Sequence, residues 1–261
     1  MKQFNSIITK GFCVLPNLMG KDTIGEALER VKYWEKHSIV SSDIPYLNRN
    51  QPNIYNLQNK DYFFVELLFK YKEIEEIHKY FLNDKWYAQI PQNLPNYILR
   101  SYGARSSKGA LPLHIDSFIP YSGSEVIAMQ TVYLLEDMNE ERGCTVIVPG
   151  SHQWGQYAKQ ESLKYAVPIK AKAGDVIIWD GRLHHGTTEN KTNKTRWAII
   201  STHSRWWLKQ AFDIPKAFPW GFYRELTEKQ RTVLGFHSKP FTTESEGIDM
   251  KQGHKDFTFL Q

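Results

Sequence analysis

Cysteine is scarce in this chain: only Cys13 and Cys144 occur in 261 residues, far apart and outside any CxxC spacing. That argues against a disulfide framework and fits a reducing, cytoplasmic setting. Long hydrophobic runs are missing too. The first twenty residues interrupt their apolar positions with Asn5, Lys10 and Asn17, so neither an export signal nor a membrane span is expected. No basic block of five or more occurs; 33 Lys+Arg against 28 Asp+Glu, net +5, are spread along the chain. Such a balance weakly favours an anionic small molecule as substrate and argues against nucleic acid as a partner. Internal repeats and low-complexity tracts are absent, and nothing in the sequence speaks to oligomeric state. With 41% hydrophobic and 14% aromatic residues, the chain can bury a sizeable core.

What is present divides by periodicity. Ile24, Ala27, Leu28, Val31 and Trp34 recur at helical steps after Asp22-Thr23, which can cap a helix start. Phe63, Phe64, Leu67, Leu68, Tyr71, Ile74, Ile77 and Phe81 do the same over a longer span beginning near Asp61. Between them, the stretch around Pro45 and Gln51-Pro52-Asn53 reads as loop and as a candidate lid. From Asn96 the pattern changes to short runs rich in β-branched and aromatic residues, bounded by Gly, Pro, Asn and Asp. The clearest predicted strands are 97–102, 126–135, 144–148, 176–180 and 197–202. A helix is predicted around Leu226 to Leu234. The expectation is one domain over 1–261, with a helical N-terminal part (1–95), a β core (96–205) and a C-terminal extension (206–261). The fold class is mainly β with flanking helices (α+β), the core being a sandwich or barrel.

Chemistry concentrates in Leu113-His114-Ile115-Asp116. Residues at i and i+2 project the same way from a strand, so His114 and Asp116 can reach one ion together, with His185 arriving from elsewhere. Two imidazoles and one carboxylate on one face leave three coordination sites open, as in non-haem Fe(II) oxygenases. His114 follows the turn-forming Gly109-Ala110-Leu111-Pro112, and His185 follows the apolar run Val176-Ile177-Ile178-Trp179. His184 stands beside His185, and adjacent strand residues face opposite ways, so only one of the two can face a metal. Thr187 shares the face of His185. Gln130, turned inward on an apolar strand, must find a polar partner. His152 reads as a histidine tying down the Pro149-Gly150 turn, and the tryptophans, Trp179 among them, as packing residues. Arg100, Arg105, Lys108, Arg182 and Arg205 are cationic candidates for an acidic substrate; Arg105 and Lys108, read as lying in the loop before His114, are preferred.

Taken together, the run 113–116, the stretches Gln130 to Asp137, Gly143 to His152 and Gly174 to Arg182, then His185-Gly186 and Arg196, resemble the phytanoyl-CoA dioxygenase family in order and spacing over residues 97–205. The resemblance implies a double-stranded β-helix (jelly-roll, cupin-like) that uses Fe(II), 2-oxoglutarate and O2. It implies His114, Asp116 and His185 as iron ligands, since the family's pattern selects His185 over His184, and Arg196 as the partner of the far 2-oxoglutarate carboxylate. A guanidinium suits that task as a planar two-pronged donor that stays charged. Thr187 and Gln130 are further candidates for holding the co-substrate, and Arg105, Lys108 and His184 for the substrate. Halogenating relatives replace the carboxylate ligand with a small residue, whereas Asp116 is kept here, so hydroxylation of a small metabolite or natural-product intermediate is expected. Desaturation, ring closure and epoxidation use the same centre. Two other classes compete: a cupin-like metalloenzyme without 2-oxoglutarate, and a non-catalytic barrel binding protein. Arg196 argues against the first, because a charge aimed into a barrel needs a carboxylate to meet, and the presence of all three candidate ligands together with the arginine argues against the second.

Overall fold

A computed structural model describes residues 2–38, 52–87, 90–91, 93–106 and 108–240. Their elements run α1 (Lys2–Lys10), β1 (Phe12–Leu15), α2 (Lys21–His37), β2 (Asn53–Tyr55), α3 (Leu57–Lys60), α4 (Tyr62–Phe69), α5 (Lys72–Leu82), β3 (Tyr97–Ser106), β4 (Leu111–His114) and β5 (Ala128–Leu134). They continue with β6 (Thr145–Ile147), β7 (Val167–Pro168), β8 (Val176–Asp180), β9 (His185–Thr187), β10 (Trp197–Arg205), α6 (Ile214–Ala217), α7 (Trp220–Glu225) and α8 (Glu228–Val233). The chain divides into two compact units, 1–57 with 102–202, and 58–101 with 203–261, the divisions falling after Leu57, within β3 and within β10. The lid candidate at Pro45 and Gln51 and the chain beyond 240 lie outside the described residues.

Two sheets build the jelly roll. One has six strands in the order β1-β8-β5-β10-β3-β2, the other four in the order β4-β9-β6-β7. Strand β8 is buried at all five positions because it lies between β1 and β5, antiparallel to both, with each face covered. Val132, Leu134, Ile177 and Trp179 from the larger sheet meet Ile147 from the smaller, with Met138, Cys144 and Leu183 completing the core. Burial of each such side chain stabilises the fold by about 1.5–3 kcal/mol.

Several expected boundaries shift for identifiable reasons. Helix α2 begins at Lys21, and its N-cap is Gly20, which offers no side-chain cap; Asp22 lies in the first turn. There its charge favours the helix N-terminus by electrostatics, not by capping. The single long helix expected from Asp61 is two helices, parted at Lys70 and Tyr71, where Tyr71 is extended. Apolar spacing reports which residues are buried, and it continues across the break. Asp61 does cap α4, accepting from the Phe63 amide at 3.0 Å. Asn53, read as loop, is strand: it pairs with Arg105, which itself lies on β3 and not in a loop. The helix at the C-terminal side is α8, started by a capping box between Thr227 and Gln230.

Candidate active site

Strand β4 pairs with β9, and the pairing sets His114 opposite His185. The register shifts between Leu111 and His114, a local irregularity just before the ligand pair. Close approach of the strands depends on Gly186, where a Cβ would lie 2.6 Å from the Leu111 carbonyl oxygen. Asp116 comes in beyond the strand end, its amide and that of Ser117 both donating to the Gly181 carbonyl, at 2.8 and 2.9 Å. One ligand atom from each of His114, Asp116 and His185 falls within 4.8 Å of the others.

Hydrogen bonds orient both rings. His114 Nδ1 stands 2.9 Å from the Pro112 carbonyl and His185 Nδ1 2.9 Å from the Leu183 carbonyl. A carbonyl only accepts, so each Nδ1 carries the proton and each Nε2 of a neutral ring presents a lone pair. Those Nε2 atoms face Asp116, His114 at 3.8 Å from Oδ1 and His185 at 3.3 Å from Oδ2. Burial lowers the His185 pKa, Asp116 opposing and His114 adding, which keeps that imidazole neutral. Lone pairs facing carboxylate oxygens repel unless a cation lies between them. The donor set therefore fits one divalent metal ion bound on a single face.

The triad opens on a cavity of about 620 Å3, its mouth included, lined also by Arg105, Gln130, Thr187 and Arg196 and by apolar residues including Val132, Leu134 and Ile200. Arg196 is buried, and its Nε has no hydrogen-bond partner. Burial brings its pKa down to about 10; Cys144 opposes, while Arg105 and Arg142 push further down. It still carries its charge at neutral pH, and a buried charge with an orphaned donor calls for an anion. Thr187 Oγ1 accepts from the Leu111 amide at 3.2 Å, and Gln130 Oε1 accepts from the Thr202 hydroxyl.

Other candidates fall elsewhere. His184 is buried with its amide on Ser151 Oγ at 2.8 Å, its Nε2 on the Gln156 carbonyl at 2.9 Å and its ring edge-on to Trp154, and it is not among the cavity's described lining residues. His184 lies just before β9, which begins at His185, and its bonds to Ser151 and Gln156 fix its ring there. Lys108 is exposed and lines no part of the cavity, its carbonyl accepting from the Asn190 amide. Arg182 is buried against Asp180, and neither Arg100 nor Arg205 is a lining residue. His152 ties its turn to the Ile8 carbonyl, as expected. Sequence reasoning missed Trp179: it lines the cavity, and its indole N–H reaches Asp116. Its one polar atom within the apolar run Val176 to Trp179 was the available signal.

A jelly roll carrying two histidines and a carboxylate at one end of a cavity defines the class of double-stranded β-helix metalloproteins. Within that class the chain belongs to the phytanoyl-CoA dioxygenase (PhyH) family, whose profile matches residues 8–198. Among curated relatives, dioxygenase af480 of Aspergillus fumigatus is 27% identical over 73% of this chain and 62% of its own. Dioxygenase olcK of Penicillium canescens is 34% identical over 43% of this chain and 39% of its own. The chain spans less than half the length of the first curated relatives it matches, two uncharacterized mycobacterial proteins at 45% each. Similar solved structures include the epimerase SnoN in complex with Fe3+, alpha ketoglutarate and nogalamycin RO, with a TM-score of 0.64 at 17% identity over 83% of this chain and 88% of that one. HygX from Streptomyces hygroscopicus with nickel and 2-oxoglutarate bound aligns with a TM-score of 0.62 at 16% identity over 80% and 88%. They share the fold. Among the described residues, no helix is long and apolar enough to cross a membrane.

Proposed function

We propose that this chain is an Fe(II)- and 2-oxoglutarate-dependent dioxygenase that hydroxylates an unactivated C–H bond of a small molecule, with release of succinate and carbon dioxide. One observation carries the reading: the His114, Asp116 and His185 cluster shares its cavity with buried Arg196, whose Nε is unsatisfied. The three side chains hold the metal, and Arg196 pairs with the far carboxylate of the co-substrate through its planar fork. Thr187 and Gln130 line the same space and offer further polar contacts. Bound iron and 2-oxoglutarate supply the oxidising power drawn from dioxygen, and the chain supplies placement. Val132, Leu134, Met138 and Ile200 keep the cavity apolar around them and limit water. Asp116 occupies a coordination position that a halide would need, so hydroxylation is favoured over halogenation. SnoN, with the same fold, is an epimerase, which makes the reaction outcome the first thing to assay after binding. Buried, unpaired Cys13 and Cys144 suit a reducing, cytoplasmic compartment.

The test is an anaerobic titration of the metal-free protein with Fe(II) and 2-oxoglutarate, in wild type and Arg196→Ala. A visible charge-transfer band of the chelated co-substrate is expected in wild type and lost or greatly weakened in the variant. One iron bound per chain with no such band would sink the 2-oxoglutarate assignment and bring forward a cupin-like metalloenzyme.

A further inference from the structure

Gln130 sits on β5, between β8 and β10, and lines the cavity with Val132 and Leu134 from the same face. Its side chain is partly buried, and its hydrogen bond among the described residues is to Thr202, whose hydroxyl donates to Oε1. A carboxamide carries its N–H donors on the other atom, so the engaged Oε1 leaves Nε2 to donate to whatever fills the cavity. Register sets where this amide stands. Gln130 lies opposite Trp179, whose indole N–H is committed to Asp116 and whose ring lies 4.9 Å from that of His185. Gln130 is therefore one strand away from the side chain that touches the metal triad. Arg196 stands toward the other end of the same wall: the Leu135 amide donates to the carbonyl of Trp197, the next residue, at 3.1 Å, whereas Thr202 meets Gln130. From Arg196 to Thr202 an extended chain covers about 20 Å. A co-substrate held between Arg196 and the metal runs away from Gln130 and leaves its donors for the substrate. Between them the wall is apolar, with Val132 and Ile200, and an amide donor desolvated there costs free energy until an acceptor meets it.

We infer that the substrate presents a neutral acceptor oxygen, a carbonyl, hydroxyl or ether, to Gln130 Nε2 beside the metal triad. This rests on the reading of the site as a metal and 2-oxoglutarate centre. Gln130 is then a specificity-determining residue: its N–H groups fix the oxygenated part of the molecule at the level of the triad, while Val132 and Ile200 accept an apolar part. A carboxamide has no charge with which to offset the desolvation of an anion, so a neutral oxygen is its match. Thr202 is a positioning residue, turning the amide so that it donates into the cavity.

The experiment uses the full chain loaded with Ni(II), which does not turn over, and 2-oxoglutarate. Calorimetry first measures 2-oxoglutarate affinity in wild type and in Gln130→Met, which keeps the length of the side chain and removes the donor. Circular dichroism confirms that the variant is folded; if it is not, Gln130→Glu, which still accepts from Thr202, takes its place. Matched probes are then titrated by ligand-observed NMR: cyclohexanone against methylenecyclohexane, and acetophenone against α-methylstyrene, each pair exchanging a carbonyl oxygen for a methylene of similar shape. The ratio of ketone affinity to alkene affinity is expected to fall about tenfold from wild type to variant in at least one pair, and 2-oxoglutarate affinity to stay within about twofold. A ratio that changes less than about threefold in both pairs overturns the inference, as does a wild type that binds no probe. Loss of 2-oxoglutarate affinity in the variant assigns Gln130 to the co-substrate, refuting the inference while leaving the proposed function intact. Failure of wild type itself to bind 2-oxoglutarate overturns both.

Discussion

Trp179 donates its indole N–H to Oδ2 of Asp116 at 3.1 Å, the same oxygen that faces His185 Nε2 at 3.3 Å. The Trp179 ring also lies 4.9 Å from that of His185. One buried side chain on β8 therefore fixes the rotation of the carboxylate and packs against a histidine of the same triad. Partners of this kind orient a ligand before the metal arrives, and losing one typically costs about 10–100-fold in metal affinity. Trp179→Phe keeps most of the packing and removes the donor. A Ni(II) titration should show affinity about tenfold weaker or worse, with little change in the melting temperature of the metal-free protein. Unchanged affinity would mean that Asp116 is held by its backbone alone.

Gly186 is the second constraint on the triad. A methyl group there meets the Leu111 carbonyl at 2.6 Å, a backbone atom that cannot swing aside. Gly186→Ala must push β4 away from β9 and with it His114 away from His185. Overpacking of this kind costs about 1–3 kcal/mol. The expected result is a lower unfolding midpoint in urea together with metal binding reduced beyond that seen in Trp179→Phe. A variant with normal metal binding would show that β4 can shift without moving His114.

How much of this was legible depends on the length of the element that carries each residue. The run Val176 to Asp180 was read to its ends because five buried positions in a row are visible as such. His114, Asp116, His185 and Arg196 could be picked out by residue type and order, and the fold brings all four to one cavity. Their supporting strands were not visible: β4 has four residues and β9 three, too few for a period to show. Trp179 and Asp116 lie 63 positions apart and meet only through tertiary structure. His184 and Lys108 stand close in sequence to cavity residues, but His184 bonds to Ser151 and Gln156 and Lys108 is exposed, and neither is among the cavity's described lining residues. Arg105, expected in a loop, lies on a strand, so its place in the cavity follows from β3 and not from loop proximity.

Within the second unit, His78 and His203 are both buried, with ring centroids 4.1 Å apart and Tyr97 edge-on to each. Burial pushes the His78 pKa down to about 3, and burial followed by the neighbouring His78 holds His203 well below its ordinary value. In the unfolded chain both take up protons near pH ~6.5, whereas the folded protein resists doing so. The folded pKa values are depressed, so the unfolded state binds more protons as pH falls. Stability is full above about pH 6.5 and declines toward the folded pKa, at about 1.4 kcal/mol per pH unit for each histidine. In the metal-free protein His185 adds in the same direction. Urea midpoints should fall steadily between neutral pH and about pH 5, and the His78→Phe, His203→Phe double variant should flatten that fall. Parallel pH profiles for the two proteins would show that these rings are protonated in the folded state.

The turn between β8 and β9 carries a buried ion pair that reaches back to the segment after Asp116. Arg182 Nε and Nη2 donate to the two oxygens of Asp180 at 3.0 and 2.7 Å, and Nη1 donates to the Gly123 carbonyl at 2.7 Å. The guanidinium lies 4.4 Å from the Tyr121 ring, and the Tyr121 hydroxyl accepts from the Ile127 amide. The pair thus pins the stretch from Tyr121 to Ile127 to the strand that leads into His185. Asp180→Ala leaves a buried guanidinium uncompensated, which typically costs about 3–5 kcal/mol. Replacing both partners with apolar residues, Asp180→Leu with Arg182→Met, removes the stranded charge and should cost less than the single change. Chemical denaturation of the two variants and of Arg182→Met alone completes the cycle. A double variant as unstable as Asp180→Ala would locate the loss in the bond to Gly123 and the Tyr121 stack, and not in the unpaired charge.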